Sequence, residues 1–224
     1  MSCVSEAERL PIGMYSEAEE RANRVTHGVG FVLSLCGAAY LLATAFERHG
    51  WGLTSACALY AASLSAVYAM STLSHGPFSE RRRDLFRSLD QGFIYLLIAG
   101  SFTPLAVAYL PAIVCWCILG SMWAIALAGF AAKVCFAHQV NSVSIWVYVL
   151  LGWMPILATS WLLEVVPIHG LMLGLAGGMC YTVGTVFLVF DHRFAYFHAL
   201  WHLFVIAGST LHFLTILCYV ARVA

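Results

Sequence analysis

Seven stretches of apolar residues, each about long enough to cross a bilayer and most of them closed by a polar or charged cluster, set the limits on what this chain can become. They cover 25–46, 51–74, 90–110, 111–132, 143–163, 168–190 and 198–220. A helix spanning the hydrocarbon core needs about 20 such residues. Inside lipid, every backbone donor and acceptor must be satisfied internally. Long apolar runs satisfy this as helices. The expected fold is therefore an all-α membrane protein, a seven-transmembrane helix bundle. Charge agrees: 10% of residues are charged and 62% hydrophobic, against roughly 25% charged in a soluble domain. That shortage excludes a soluble enzyme and a disordered chain. A net charge of zero leaves no nucleic-acid footprint. Membrane lipid is the expected partner, and the oligomeric state is left open.

Residues 1–24 form a polar, acid-rich segment without a basic start followed by an apolar run. It therefore predicts no cleavable signal peptide, and the first apolar stretch stays as a span. The organisation is a polar N-terminal segment (1–24) and a seven-span domain (25–220). With seven spans, alternate loops share a side. Arg9, Arg21, Arg24, Arg81, Arg82, Arg83, Arg87, Lys133 and Arg193 fall on the N-terminal side, and only Arg48 and Arg222 on the other. The positive-inside rule makes the N-terminus cytoplasmic and the C-terminus external, as in a multi-pass membrane protein. Trp51, Trp116, Trp161 and Tyr109 fall near the expected outer ends, where amphipathic rings anchor. The eight cysteines are scattered through apolar runs and read as small hydrophobes. Cys115 and Cys117 point to nearly opposite helix faces. Pro104 and Pro155 are expected to kink the third and fifth spans, with Ser101 and Thr103 able to satisfy freed carbonyls.

Polar groups at membrane depth are costly unless paired, so they mark chemistry. His198 and His202 are one helical turn apart on one face, the spacing of a two-point metal chelate. Such a pair also fits a core position with satisfied hydrogen bonds. Topology adds His75, which closes the second span, and Asp90, which opens the third. All four fall in the cytoplasmic leaflet at similar depth. Three imidazoles with a free position are the ligand set of a catalytic zinc site. Asp90 is then placed to hold or deprotonate an attacking water. Ser71, one turn deeper than His75, reads either as a hydrogen-bond donor to a carbonyl or as a small packing residue. His212 lies too far along the seventh helix for the same metal and reads as an interior hydrogen-bonding residue. His27 has a depth suited to supporting the site, although an interfacial histidine is the plainer reading. His49, His138, His169 and His192 sit at loop edges. The Arg81-Arg82-Arg83 run is explained as a topology signal that also meets anionic lipid.

Four blocks carry a family likeness. They are Glu19-Glu20-x-Ala22-Asn23-x-x-Thr26-His27-Gly28-Val29-Gly30, Ser71-x-x-x-His75, the run from Arg87-Ser88-Leu89-Asp90-Gln91-Gly92 to Thr103-Pro104, and His198-Ala199-Leu200-Trp201-His202-Leu203-Phe204-Val205-x-Ala207-Gly208-Ser209. The chain resembles the hemolysin III family, the bacterial branch of the progestin and adipoQ receptor proteins, from Glu19 to the C-terminus. The resemblance implies seven spans with a cytoplasmic N-terminus. Related receptors and alkaline ceramidases share the Ser, Asp and three-histidine pattern and bind zinc. Carried over, this implies His75, His198 and His202 as zinc ligands, Asp90 as the water-holding acid and Ser71 as an accessory. Gln91 departs from the pattern, because many bacterial members have His there, and Gln shuttles no proton at neutral pH.

Three functions stand as expectations. One is a zinc-dependent hydrolase of a membrane lipid amide or ester. Another is a membrane-homeostasis regulator or receptor-like sensor with a structural zinc. The third is a pore-forming cytolysin or channel, poorly supported because no polar ring lines a helix along its length. A retinal-type receptor is disfavoured because the only lysine, Lys133, lies at a helix end. A haem held by His75 and His202 would show a Soret band.

Overall fold

The structure, a computed structural model, describes residues 15–136 and 145–223. Among these, every regular element is helical: α1 (Glu17–His49), α2 (Trp51–Ser74), α3 (Glu80–Tyr109), α4 (Ala112–Cys135), α5 (Ile145–Trp153), α6 (Thr159–Val165), α7 (Ile168–Val189) and α8 (Phe197–Ile216). A 3₁₀ turn, Met154–Ala158, joins α5 to α6, and a π-helical turn, Leu217–Ala221, closes α8. Counting α5, the 3₁₀ turn and α6 as one span, seven segments among the described residues are long and apolar enough to cross a membrane. Val29, Val32, Leu33, Ile113, Trp116 and Trp146 are all more than half exposed. An apolar surface of that extent requires a lipid solvent. The protein is an integral, multi-pass membrane protein.

Two helices begin earlier than hydropathy suggested. α1 starts at Glu17 instead of residue 25, so the second half of the polar segment is not a tail. Ser16 caps it: Oγ accepts from Glu19 N at 3.3 Å and the Glu19 carboxylate takes Ser16 N at 3.0 Å. That reciprocal pair is a capping box, and Glu17, Glu19 and Glu20 in the first turn suit the helix dipole. α3 starts at Glu80, so Arg81-Arg82-Arg83 are helical and not a loop. Glu and Arg are good helix formers, so a helix continues into water where its apolar run ends. The segments His138 and Asn141-Ser142, like Cys3, lie outside the described residues.

The prolines act differently from one another. α3 runs through Pro104 without a break, and Thr103 and Ser101 bond the carbonyls of Ala99 and Ile98 at 2.8 and 3.0 Å. The carbonyl that Pro104 frees is that of Gly100, so the hydroxyls do not perform the expected rescue. Pro155 instead converts the middle of the fifth span to 3₁₀ helix.

Neighbours along the chain pack side by side: α1 on α2, α2 on α3, α3 on α4, and α7 on α8, with α8 returning to α1. Two cores result. One joins Leu41, Tyr60, Leu64, Trp201 and Val205 across α1, α2 and α8. The other joins Tyr95, Phe102, Met122, Leu151 and Leu162 across α3, α4 and the fifth span. Contacts between the fifth span and α7 are sparse, and a cavity of about 960 Å³ lies between the two cores. Glycines permit the close approaches: a Cβ at Gly129 would sit 2.7 Å from the Tyr95 ring. All described cysteines are free.

Candidate metal centre

α2 ends at Ser74, and His75 is its C-cap. α8 begins at Phe197, so His198 lies in its first turn and His202 one turn deeper. These elements meet at one end of the bundle. Each of the three histidines offers a ring nitrogen within 4.8 Å of the others. His75 and His202 are buried and His198 is half-buried. The buried group can hold a metal ion.

The tautomers favour metal binding. His75 Nδ1 lies 2.6 Å from Glu20 Oε2, and His198 Nδ1 lies 2.9 Å from Asp191 Oδ2. His202 Nδ1 lies 3.2 Å from the Asn23 carbonyl and 3.1 Å from Thr26 Oγ1. An ionised carboxylate or a carbonyl only accepts, so each Nδ1 carries the proton. The lone pair of each neutral ring is therefore on Nε2, the nitrogen left for a ligand bond. A metal-binding histidine anchored through its other nitrogen by a carboxylate or carbonyl is the usual supporting arrangement. Here all three are anchored, each by a different residue.

Further bonds hold the anchors. Tyr15 donates to Asp191 Oδ2 at 2.6 Å and lies 2.9 Å from His198 Nδ1. Burial and the adjoining Asp191 carboxylate push the Tyr15 hydroxyl far up, so it stays a donor. Burial alone would raise the Asp191 carboxyl, but the bonds from His198 and Tyr15 outweigh it and hold it below its ordinary value. Glu19 accepts from Tyr196 N at 2.9 Å. Tyr196 has φ 62°, left-handed for a residue with a side chain, so this bond fixes the strained turn that starts α8.

Asp90 lies three turns into α3 and outside the histidine ligand set. It lines the same cavity as His75, His198, His202 and Ser71. Ser71 is 1% exposed and is Asp90's polar neighbour. Its hydroxyl faces the cavity beside Asp90 and is placed to donate into it. The cavity continues between the fifth span and α7, past Leu163, Ile168 and Met172. Those three are each 55–56% exposed, so lipid-facing residues border the cavity there.

The remaining histidines fall into distinct roles. His212 Nε2 bonds the Gly174 carbonyl at 3.1 Å, an interior hydrogen-bonding role. His169 and His192 are exposed, and His49 bonds the Ala221 carbonyl at 3.0 Å. His27 is not interfacial: it is 3% exposed and stacks on His202 with ring centroids 3.5 Å apart. Gln91 lines the cavity, and its carbonyl accepts from the Tyr148 hydroxyl at 3.0 Å. Sequence reasoning missed Glu20 and Asp191 and left Asp90 as the one acid with a chemical reason to be inside. A signal existed for Glu20: with Asn23, His27, Gly30 and Ser34 it forms a polar and small stripe at helical spacing on a span. Asp191 had no comparable signal.

The chain is similar to known proteins over most of its length. The family model described as "Haemolysin-III related" matches residues 15–213. "Hemolysin-3" of Bacillus cereus is 36% identical over 206 residues, covering 92% of this chain and 94% of the relative. "Hemolysin-3 homolog" of Bacillus subtilis (strain 168) is 32% identical over 211 residues, covering 94% and 98%. The human "Monocyte to macrophage differentiation factor" is 27% identical over 214 residues, covering 91% and 85%.

Proposed function

Because the chain belongs to the haemolysin-III-related family and carries this histidine cluster, we propose that it is a zinc-dependent hydrolase of a membrane lipid amide or ester. Its histidine end faces the cytoplasmic side of a bacterial inner membrane, as its basic residues orient the chain. One observation carries the reading: three imidazoles, each anchored through Nδ1, lie together at a cavity that also holds Asp90 and the Ser71 hydroxyl. Three neutral nitrogen donors suit zinc and leave a position for chemistry.

His75, His198 and His202 would hold the ion. Zinc supplies Lewis acidity, lowering the pKa of water to about 7 and polarising a carbonyl. Asp90 takes the proton of the attacking water and returns it to the leaving amine or alcohol. Ser71 Oγ donates to the carbonyl oxygen as negative charge develops there. Entry between the fifth span and α7 brings acyl chains from the bilayer while the scissile bond reaches the polar end. His27 packs beneath His202 and keeps that ring in place.

The test is metal analysis of purified protein and its His202→Ala variant, followed by assays on ceramide-like and phospholipid substrates. Zinc near one per chain, absent from the variant, is expected. Hydrolysis is expected to fall at least about 100-fold in Asp90→Ala with zinc retained. Zinc unchanged in His202→Ala, or turnover unchanged in Asp90→Ala, refutes the reading.

A further inference from the structure

Lys133 is the only lysine in the chain. It stands in the last turn of α4, 7% exposed, and lines the cavity that holds the histidines and Asp90. Among the described residues its ammonium has neither an ion pair nor a hydrogen bond. The adjoining stretch 137–144 contains no aspartate or glutamate. A cation at membrane depth is costly unless paired. A lysine near a helix end ordinarily relieves that cost by extending to the headgroups along the lipid face. Lys133 is turned inward instead, while Leu127 and Phe136 of the same region are 56% and 55% exposed. The carbonyl dipoles at the end of α4 favour a cation here but leave its three donors unfilled.

The surroundings suggest what fills them. α4 packs on α3 at Gly92, where an added Cβ would meet Phe130 at 3.0 Å and Val134 at 3.3 Å. Lys133 therefore lies beside the part of α3 that carries Asp90 and Gln91. Arg87, one turn away on α3, also lines the cavity. Its ion pairs, to Glu20 and Asp84, are long at 3.9 Å each. The cavity's polar end thus presents two cations with spare donors, while its far reaches are apolar. A ligand matching both parts has an anionic head and an acyl tail.

We propose that Lys133, with Arg87 at the rim, receives the phosphate or carboxylate of an anionic lipid whose chain lies in the cavity. Binding itself does not depend on the lipid-hydrolase reading; only the fate of the bound lipid rests on it, and there the site narrows the enzyme's substrate to an anionic lipid. An ammonium paired with phosphate or carboxylate forms charge-assisted hydrogen bonds that a zwitterionic head, neutralised by its own choline, forms less well.

The test is native mass spectrometry of the detergent-solubilised full chain, titrated with phosphatidic acid or with phosphatidylcholine of matched chains. Wild type is expected to prefer phosphatidic acid about tenfold, since one charge-assisted contact is worth about that factor. K133M is expected to lose at least half of that preference on a logarithmic scale, and K133R to keep it. Arg81, Arg82 and Arg83 also attract anionic lipid but remain in K133M, so the difference reports Lys133. No preference in wild type overturns the proposal without any variant. An undiminished preference in folded K133M overturns it as well. Inorganic phosphate binding as tightly as phosphatidic acid overturns the lipid assignment. Because no turnover is needed, selection through Lys133 without hydrolysis would refute the hydrolase reading and leave this site standing. Hydrolysis of a neutral lipid amide without selection would do the reverse.

Discussion

Removing the charge of Glu20 without its shape should weaken metal binding by a predictable amount. Glu20 Oε2 receives the His75 Nδ1 proton at 2.6 Å, and the two side chains are 17% and 4% exposed. A charge-assisted hydrogen bond contributes about 1.5–3 kcal/mol, roughly twice a neutral one. In Glu20→Gln the amide oxygen can still accept from Nδ1, so the loss is about half of that, about 0.75–1.5 kcal/mol. That corresponds to a zinc affinity about 3–12-fold lower, at 1.4 kcal/mol per factor of ten. Glu20→Ala removes the anchor altogether, and the loss should reach toward the roughly 100-fold upper end for such supporting groups. Competition against a chromophoric chelator at fixed pH and salt measures both. Glu17→Gln is the control, because Glu17 is an exposed acid in the same helical turn. It should change affinity less than about twofold, since long-range charge effects are screened in salt. Equal effects of Glu17→Gln and Glu20→Gln would mean that only net charge mattered. No effect of Glu20→Ala would refute the anchored-histidine geometry itself.

The same geometry sets three other outcomes. Tyr15→Phe leaves Asp191 bound to His198 but removes the 2.6 Å bond that fixes it, so zinc affinity should fall by a few fold, less than for Asp191→Asn. Gly178 faces the cavity, and an added Cβ meets nothing within 4 Å. Gly178→Phe should therefore fold and hold zinc but slow lipid turnover at least about tenfold by occupying the acyl path; unchanged turnover would place the substrate elsewhere. Gly177→Ala puts a Cβ 2.2 Å from His212 Cδ2 and 3.1 Å from the Gly208 carbonyl. The overpacking should cost about 1–3 kcal/mol and lower the melting temperature while leaving zinc stoichiometry intact.

The spans were legible because hydropathy is a local quantity: the second one runs from Trp51 to Ser74 as its composition says. Their ends were not, because Glu17 to Arg24 and Glu80 to Leu89 are helical for reasons of capping and propensity. His198 and His202 were legible from a four-residue spacing, and His75 and Asp90 from the side each span end faces. The anchors were harder because they are distant in sequence. Glu20 is 55 residues from His75, and Asn23 is 179 from His202. No spacing rule relates such pairs; only the packing of α1 against α2 and α8 brings them together. Asp191 is close in sequence to His198, yet the turn between them depends on Tyr196 in the left-handed region, held by Glu19 from α1. The family likeness pointed to the same three histidines, and the structure adds that each Nδ1 is anchored, which leaves Nε2 for a ligand.

On the proposed reading, a division of labour within the bundle puts the candidate ligands and the lipid entry on different elements. A metal site gains from donors fixed before the ion arrives. The three histidines come from α2 and α8, both well packed on α1, whose first three turns carry Glu20, Asn23 and Thr26. Substrate entry needs the opposite: an element with few packed neighbours, which opens at low cost. The fifth span has that character, with a 3₁₀ centre at Pro155 and thin contact with α7. Tightening one part should then leave the other unchanged. A substitution that rigidifies the fifth span should slow lipid exchange without altering zinc affinity, whereas loosening α1 through Ser16→Ala should weaken zinc first. The Ser16 cap contributes about 0.5–2 kcal/mol and starts the turn that positions Glu20. Hydrogen exchange of α1 and of the fifth span, read with and without zinc, separates the two. Zinc should protect the first turns of α1 and leave the fifth span exchanging as before. Equal protection of both would show that the metal site and the lipid opening move as one unit.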